Sequence, residues 1–131
     1  MKWLLAALMI LTPGSPWLMK WAAVRKVRQH MGSDAPDTSA VDGAIRSSRR
    51  VYYFHAAYCG PCKTLMPFID ELRQAHPNLI KVDVEQYAAL AQAFGVSATP
   101  SFIVVTENRV TEAKIGSPSK TWIRNTLEGN S

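Results

Sequence analysis

A strand-like run of residues leads directly into the only two cysteines of this chain. The run RVYYFHA, residues 50–56, is rich in β-branched and aromatic residues and contains no breaker, which predicts a buried strand. Cys59 and Cys62 follow it, separated by Gly60 and Pro61. Apolar residues then recur at helical spacing as far as Leu72, and the predicted helix stops before Pro77. The sequence therefore predicts a strand that passes into a helix, with both thiols at the junction.

The position of the two cysteines indicates redox chemistry. Free N–H groups and the positive end of the helix dipole favour the thiolate form of Cys59. Cys62 lies one helical turn later on the same face, so the two sulfurs can close a disulfide. Such a pair is suited to thiol–disulfide exchange, in which Cys59 attacks a substrate disulfide and Cys62 resolves the mixed disulfide. Half of a metal site and a pair of buried apolar side chains are the alternatives.

The histidines give little support for a metal site. His30, His55 and His76 do not stand at the His-x(3–5)-His spacing that would complete a two-cysteine zinc site. Two cysteines are also too few for a disulfide-stapled secreted scaffold. We therefore expect no metal, and no cofactor other than the redox-active disulfide of Cys59 and Cys62.

The net charge of +5 is unevenly distributed along the chain. Residues 1–50 carry eight Lys/Arg against three Asp, and residues 51–131 carry seven Lys/Arg against seven Asp/Glu. The excess positive charge therefore belongs to the N-terminal part, and the part with the cysteines is neutral. A uniformly basic face for nucleic acid is not expected. We expect a monomer that binds no nucleic acid.

The remaining elements predict an α/β fold with a mixed sheet. A short helix is expected from residues 37–39 through Ile45, and a last helix is expected to be capped and started by Ser117 and Pro118. The other predicted elements are strands over residues 50–56, 79–84, 101–105 and 109–115, and helices over residues 62–76 and 85–94.

Several short motifs resemble the thioredoxin family in order and distance. They are YCGPCK (58–63) with Pro67 in the following helix, VDVE (82–85), FGV (94–96), ATPSF (98–102) and KIGSPSK (114–120). The resemblance covers residues 50–128 and implies a thioredoxin-like fold, a central mixed β-sheet flanked by helices, within a domain over residues 40–131. It implies a thiol–disulfide oxidoreductase that reduces protein disulfides and exchanges electrons with an unidentified thiol partner. A disulfide donor or isomerase, and a redox-idle binding module, are the alternatives.

The resemblance also implies a substrate-binding surface. Pro100 would be the cis-proline that faces the disulfide, and it would turn the backbone of Thr99 towards an extended substrate segment. Gly116 would leave room for the substrate backbone, and Tyr58 would form part of the docking surface. An ordinary loop proline at 100 and a plain turn glycine at 116 are the alternatives.

Three positions beside the cysteines, together with the Gly60-Pro61 pair between them, are expected to tune the redox chemistry. Tyr53 stands where the family carries a buried acid that accepts a proton from the resolving thiol, and a phenol is a poor base near neutral pH. Lys81 stands where the family has a lysine beside that acid, so it would serve Tyr53 or merely cap the strand. His55 replaces a tryptophan; it would stabilise the Cys59 thiolate, carry protons, or be only a satisfied polar residue.

The first 30 residues form an apolar and basic extension, and residues 31–39, small and polar, predict a linker. A ten-residue apolar run, 3–12, is followed by a segment with two tryptophans and several cations. A cleaved export signal, an uncleaved anchor over residues 3–19 and a soluble helix at the start of the domain all fit this pattern. We expect membrane association through residues 3–28, with the domain outside the cytoplasm; the cytoplasmic face is the alternative.

Overall fold

The computed structural model of the chain describes residues 16–43 and 47–129. Within them a four-stranded sheet has the order β2-β1-β3-β4. Its strands are β1 (Arg49–His55), β2 (Leu79–Asp83), β3 (Ser101–Thr106) and β4 (Arg109–Ile115). The helices are α1 (Pro16–Arg28), α2 (Ser39–Asp42), α3 (Gly60–Ala75), α4 (Ala88–Ala93) and α5 (Lys120–Glu128).

The sheet is mixed, as the sequence predicts. Strand β1 pairs in parallel with β2, antiparallel with β3, and β3 pairs antiparallel with β4. The parallel pair needs a crossover, which α3 supplies. The antiparallel pair β3–β4 needs only a two-residue turn, where Glu107 and Asn108 both adopt positive φ. Strand β1 therefore lies inside the sheet, and its C-terminal end delivers the cysteines.

Alternate residues of β1 divide the core into two clusters. Val51 and Tyr53 face the first cluster, which contains both cysteines and the buried residues of α3 and α5. Tyr52 and Phe54 face the second cluster, which contains Ala91 and Phe94 in and after α4, and Val27 of α1. Because successive side chains of a strand point to opposite faces, both faces of the sheet are covered and β1 is buried on both.

Helix α1 closes on the sheet next to Gly95. Its residues Ala23 and Val27 are buried. A Cβ at Gly95 would stand 2.8 Å from the carbonyl oxygen of Lys26, and Gly95 has a φ of +75°. Both the backbone conformation and the close approach require glycine there. The glycine at this position therefore lets α1 pack closely against the domain.

Residues 32–35, part of the segment 31–39 predicted as a linker, run along the outer edge of β4. The N–H of Gly32 donates to the carbonyl of Val110 (2.7 Å), and the N–H of Val110 donates to the carbonyl of Ser33 (3.0 Å). Such pairing covers an edge strand that would otherwise expose unpaired backbone groups. It joins α1 to the sheet by hydrogen bonds as well as by apolar contacts.

Most predicted element bounds agree with the structure within a few residues. The predicted N-cap of the last helix does not agree. Ser119, not Ser117, caps α5, since its Oγ accepts the N–H of Trp122 at 3.1 Å. The predicted cap was wrong because residues 117–118 lie outside the helix, which begins at Lys120. Helix α4 is also shorter than the predicted 85–94.

The predicted anchor over residues 3–19 lies largely outside the described residues. Its last four residues form the first turn of α1, with Pro16 at the first helical position, where its missing N–H costs nothing. Ile45 also lies outside the described residues. Among the helices that the structure does describe, none combines the length and the apolarity needed to cross a bilayer.

Candidate functional site: a disulfide at a helix N-terminus

Cys59 and Cys62 form a disulfide at the start of α3. Their Cα atoms lie 5.2 Å apart, within the range that a disulfide spans. Cys59 retains more exposure (6%) than Cys62 (1%). Cys59 is therefore the more accessible of the two cysteines.

The local sequence places Cys59 as the N-cap of α3. Its backbone is extended, Gly60 and Pro61 begin the helix, and the N–H of Cys62 donates to the Sγ of Cys59 at 3.3 Å. A proline is tolerated here because the first helical N–H groups have no intrahelical partner. The same unpaired N–H groups stabilise a thiolate at the cap when the disulfide is reduced. The predicted strand-to-helix junction is therefore confirmed.

Tyr53 lies beneath the disulfide, in the first cluster. Its side chain is fully buried, and its hydroxyl donates to the backbone carbonyl of Cys62 at 3.3 Å. Burial, with a smaller contribution from the negative charge of Asp70, raises the pKa of Tyr53 to about 12. The phenol therefore stays protonated near neutral pH and holds the first turn of α3 rather than accepting a proton.

Lys81 pairs with a residue that the sequence reasoning missed. It lies beside Tyr53 in the β1–β2 register, but its Nζ is 2.8 Å from the Oδ1 of Asp70 on α3. A signal for Asp70 was present in the sequence. It stands eight residues after Cys62 and four after Met66, so the three share one face of the helix.

His55 ends β1 on the same side of the sheet as Tyr53. The two rings stack with their centroids 5.6 Å apart. His55 is half-buried and lines a cavity of about 650 Å³. The other residues lining it are Ala56, Ala57, Cys62, Lys63, Met66, Pro67 and Asp70. The cavity therefore brings together His55, the resolving cysteine and Asp70.

Burial favours the neutral form of His55. Burial is the largest effect and lowers the pKa of His55, and the positive charge of Lys81 lowers it further. The carboxylates of Asp83 and Asp70 act in the opposite direction. Since the ordinary pKa of histidine is about 6.5, a lowered pKa leaves the imidazole neutral near pH 7, with one ring nitrogen free to accept a proton.

A second hollow is lined by Tyr58, the residue that precedes Cys59. It has a volume of about 440 Å³, and Tyr58 and Thr99 line it with residues from α4 and from the segment after it. Tyr58 is 75% exposed. The peptide between Thr99 and Pro100 is cis, and the N–H of Gly116 donates to the Pro100 carbonyl at 2.8 Å. Tyr58 and Thr99 are therefore brought together, while the contribution of α4, through Ala88 and Gln92, was not foreseen.

The expectation that no metal or other cofactor is needed stays a prediction. Across residues 16–43 and 47–129, no three His, Cys, Asp or Glu side chains are grouped so as to hold a metal ion.

Comparisons with known proteins agree with this arrangement. A putative thioredoxin 2 of Streptomyces coelicolor is 42% identical over 65 residues, which are 48% of this chain and 48% of that protein. Thioredoxin 1 of Synechococcus elongatus is 27% identical over 78 residues, 57% of this chain and 73% of that protein. The match thus spans about half the length of the Streptomyces relative.

Solved structures and a family model extend the comparison to most of the domain. The thioredoxin of Fasciola hepatica has a TM-score of 0.56 at 28% identity, covering 63% of this chain and 81% of its own. A thioredoxin variant of Halobacterium salinarum has a TM-score of 0.60 at 24% identity, covering 74% and 87%, and shows the shared fold. The family model described as Thioredoxin matches residues 38–129. With the disulfide at the N-terminus of α3, this match shows that the chain belongs to the thioredoxin family.

Proposed function

We propose that the chain is a thiol–disulfide oxidoreductase that reduces protein disulfides through Cys59 and Cys62. The observation that carries the proposal is the disulfide at the N-terminus of α3, with the Cys59 sulfur accepting the N–H of Cys62. Because the two sulfurs lie within one helical turn, their disulfide can open and form again without movement of the rest of the domain. Family membership supports the same chemistry.

The cycle begins from the dithiol. The Cys59 thiolate attacks one sulfur of a substrate disulfide, the other substrate sulfur leaves as a thiolate and takes up a proton, and a mixed disulfide remains. Cys62 then gives up its proton, and its thiolate attacks the Cys59 sulfur. The second substrate thiol leaves, and Cys59 and Cys62 are joined. Two electrons have passed to the substrate, and a dithiol donor must supply two electrons to restore the enzyme.

We propose that His55 accepts the proton of Cys62 in the second step. Tyr53 is unsuited to it, because the phenol is protonated and its hydroxyl donates to the Cys62 carbonyl. Asp70 is half-exposed and engaged by Lys81. His55 lines the same cavity as Cys62 and is held in its neutral form by burial. A neutral imidazole is a suitable proton acceptor near pH 7.

The hollow lined by Tyr58 and Thr99 is the proposed substrate site. An extended substrate segment would lie against Tyr58 and pair with the backbone of Thr99 as an added strand. Gly116 supports this arrangement, because a Cβ there would meet open space and its φ is +97°, a conformation that side chains disfavour. Gly60 and Pro61, which start α3, fix the position of Cys62 relative to Cys59.

We propose that the enzyme works as a monomer outside the cytoplasm, next to the membrane. The ten-residue apolar run behind Lys2 supports export, as it has the size of a signal hydrophobic region. The cations that follow the run favour the cytoplasmic face, which is the alternative.

Electron transfer to a protein disulfide tests the proposed activity. The reduced full chain, mixed with a protein that has one accessible disulfide, is expected to lose two thiols while the substrate gains two. Thiol counting and mass spectrometry of both proteins measure the exchange. A Cys59→Ser/Cys62→Ser variant is the matched control. If the substrate gains no thiols from the wild-type chain, the chain is a redox-idle binding module and the proposal is wrong.

A further inference from the structure

Helix α1 exposes three large apolar side chains. Trp17 is 61% exposed, Met19 66% and Trp21 54%. Tryptophans this exposed, close together on one helix, are uncommon on a soluble surface and mark an interaction site. The redox cycle makes no use of them.

The tryptophans share one face of α1 with several cations. Trp17, Trp21, Val24 and Arg28 follow one another at intervals of four, three and four residues, which places them in one stripe. A single shallow concavity is lined by Trp17, Lys20, Trp21, Val24, Arg25 and Arg28. We name these six residues the tryptophan–arginine face. The guanidinium of Arg25 lies over the Trp21 ring, 5.6 Å from its centroid, so cations and aromatic rings alternate on this face.

The buried residues of α1 show that the tryptophan–arginine face points away from the domain. Ala23 and Val27 are buried, Val27 in the second cluster. Cys59 and Cys62 belong to the first cluster, on the other side of the sheet. A partner bound to the tryptophan–arginine face would therefore leave the disulfide free for substrates.

The charge of α1 selects an anionic partner. The helix carries four Lys/Arg and no Asp or Glu. Arginine and lysine beside tryptophan suit the headgroup layer of a membrane, where the indole ring is half in the apolar region and half in water. The chain immediately before α1 supports a lipid partner over an acidic protein or nucleic acid. Residues 3–12 are a ten-residue apolar run, which would enter the same bilayer.

We propose that the tryptophan–arginine face binds the surface of a membrane that contains anionic phospholipids. The helix lies along the headgroup layer with Trp17 and Trp21 inserted, while Lys20, Arg25 and Arg28 contact lipid phosphates. The buried side of the same helix holds the domain. This inference does not rest on the redox function, because it uses no residue of the disulfide site.

Tryptophan fluorescence in the full chain tests the proposal. A Trp3→Phe/Trp122→Phe variant keeps only Trp17 and Trp21 as reporters. Vesicles of phosphatidylcholine and phosphatidylglycerol in equal parts, with brominated lipid added, are expected to shift the emission to the blue and to quench it. Pure phosphatidylcholine vesicles are expected to do so far less. Reversing Lys20, Arg25 and Arg28 to Glu is expected to weaken binding by more than about a hundredfold.

The matched control reverses three exposed cations elsewhere on the domain, Lys114, Lys120 and Arg124, and is expected to bind like the parent variant. Binding of the full chain without quenching of Trp17 and Trp21 would mean that only the preceding residues insert, and would overturn the proposal. It would also be overturned if polyglutamate or duplex DNA shifted the emission and the anionic vesicles did not.

Discussion

A Cys62→Ser variant is expected to accumulate mixed disulfides with its substrates through Cys59. The substitution removes the thiolate that attacks the Cys59 sulfur, so the second step of the cycle stops while the first continues. Turnover should fall to the background rate of disulfide exchange. Gel electrophoresis without reductant, on material prepared from the source cells, measures the trapped species, and reductant should release them.

The control for trapping is the Cys59→Ser variant, which keeps a thiol at Cys62. Cys62 is 1% exposed against 6% for Cys59, so a substrate disulfide should reach it poorly and little should be trapped. The double serine variant should trap nothing. Equal trapping by the two single variants would contradict the assignment of Cys59 as the attacking thiol.

A His55→Gln variant is expected to resolve mixed disulfides about a hundredfold more slowly at pH 7, the lower end of what a positioned proton acceptor contributes. Burial, and after it the charge of Lys81, lowers the pKa of His55, so its neutral form persists below the ordinary value of about 6.5. Resolution in the wild type should therefore hold its rate as the pH falls to about 6.5 and decline only below it. In the variant, resolution must wait for the Cys62 thiol to ionise without a proton acceptor beside it, so its rate should rise steadily with pH.

Stopped-flow measurement of substrate release from a preformed Cys59 mixed disulfide gives this pH profile. The groups that face His55 are Tyr53 on its own strand, Lys81 and Asp83 on β2, and Lys63 and Asp70 on α3. Tyr53→Phe is the matched control and should keep the wild-type profile. Asp70→Asn should move the decline to lower pH, because the Asp70 carboxylate raises the pKa of His55. A His55→Gln variant with an unchanged profile would show that His55 does not accept the proton, and a loss of rate at pH 7 in Asp70→Asn alone would assign the proton to that carboxyl.

The same lowered pKa predicts the sign of the effect of His55 on stability. Below pH ~6.5 the histidine becomes protonated in the unfolded chain but stays largely neutral in the folded chain. The unfolded state therefore binds more protons and is favoured as the pH falls. The contribution of His55 is present above that pH and is lost as the pH falls through the lowered pKa of the folded state. The stability contribution of His55 and its proton transfer are therefore lost over the same pH range, because both require the neutral imidazole.

Local patterns made the disulfide site predictable. The run at residues 50–56 and the helical spacing after Cys62 are properties of consecutive residues, and they place both thiols at a strand-to-helix junction wherever the rest of the chain goes. Motif order then indicated the family and the mixed sheet. The cis peptide before Pro100 followed from the resemblance and not from any physical property of those residues.

Contacts between elements were not predictable in the same way. The pairing of Lys81 with Asp70 depends on the β1–β2 register and on the rotation of α3, neither of which the sequence states. The hydrogen bond from Tyr53 to the Cys62 carbonyl depends on the depth at which α3 packs. The burial of Val27 was missed because two tryptophans on the other side of α1 dominate its pattern.

The reduction potential of the Cys59–Cys62 pair tests the central claim most directly. The full chain is equilibrated with dithiol buffers of defined potential, and the fraction of disulfide is read after alkylation. A protein-disulfide reductase of thioredoxin type predicts a value near about −270 mV. A value near about −120 mV would make the pair an oxidant that donates disulfides, and would contradict the proposed direction of electron flow.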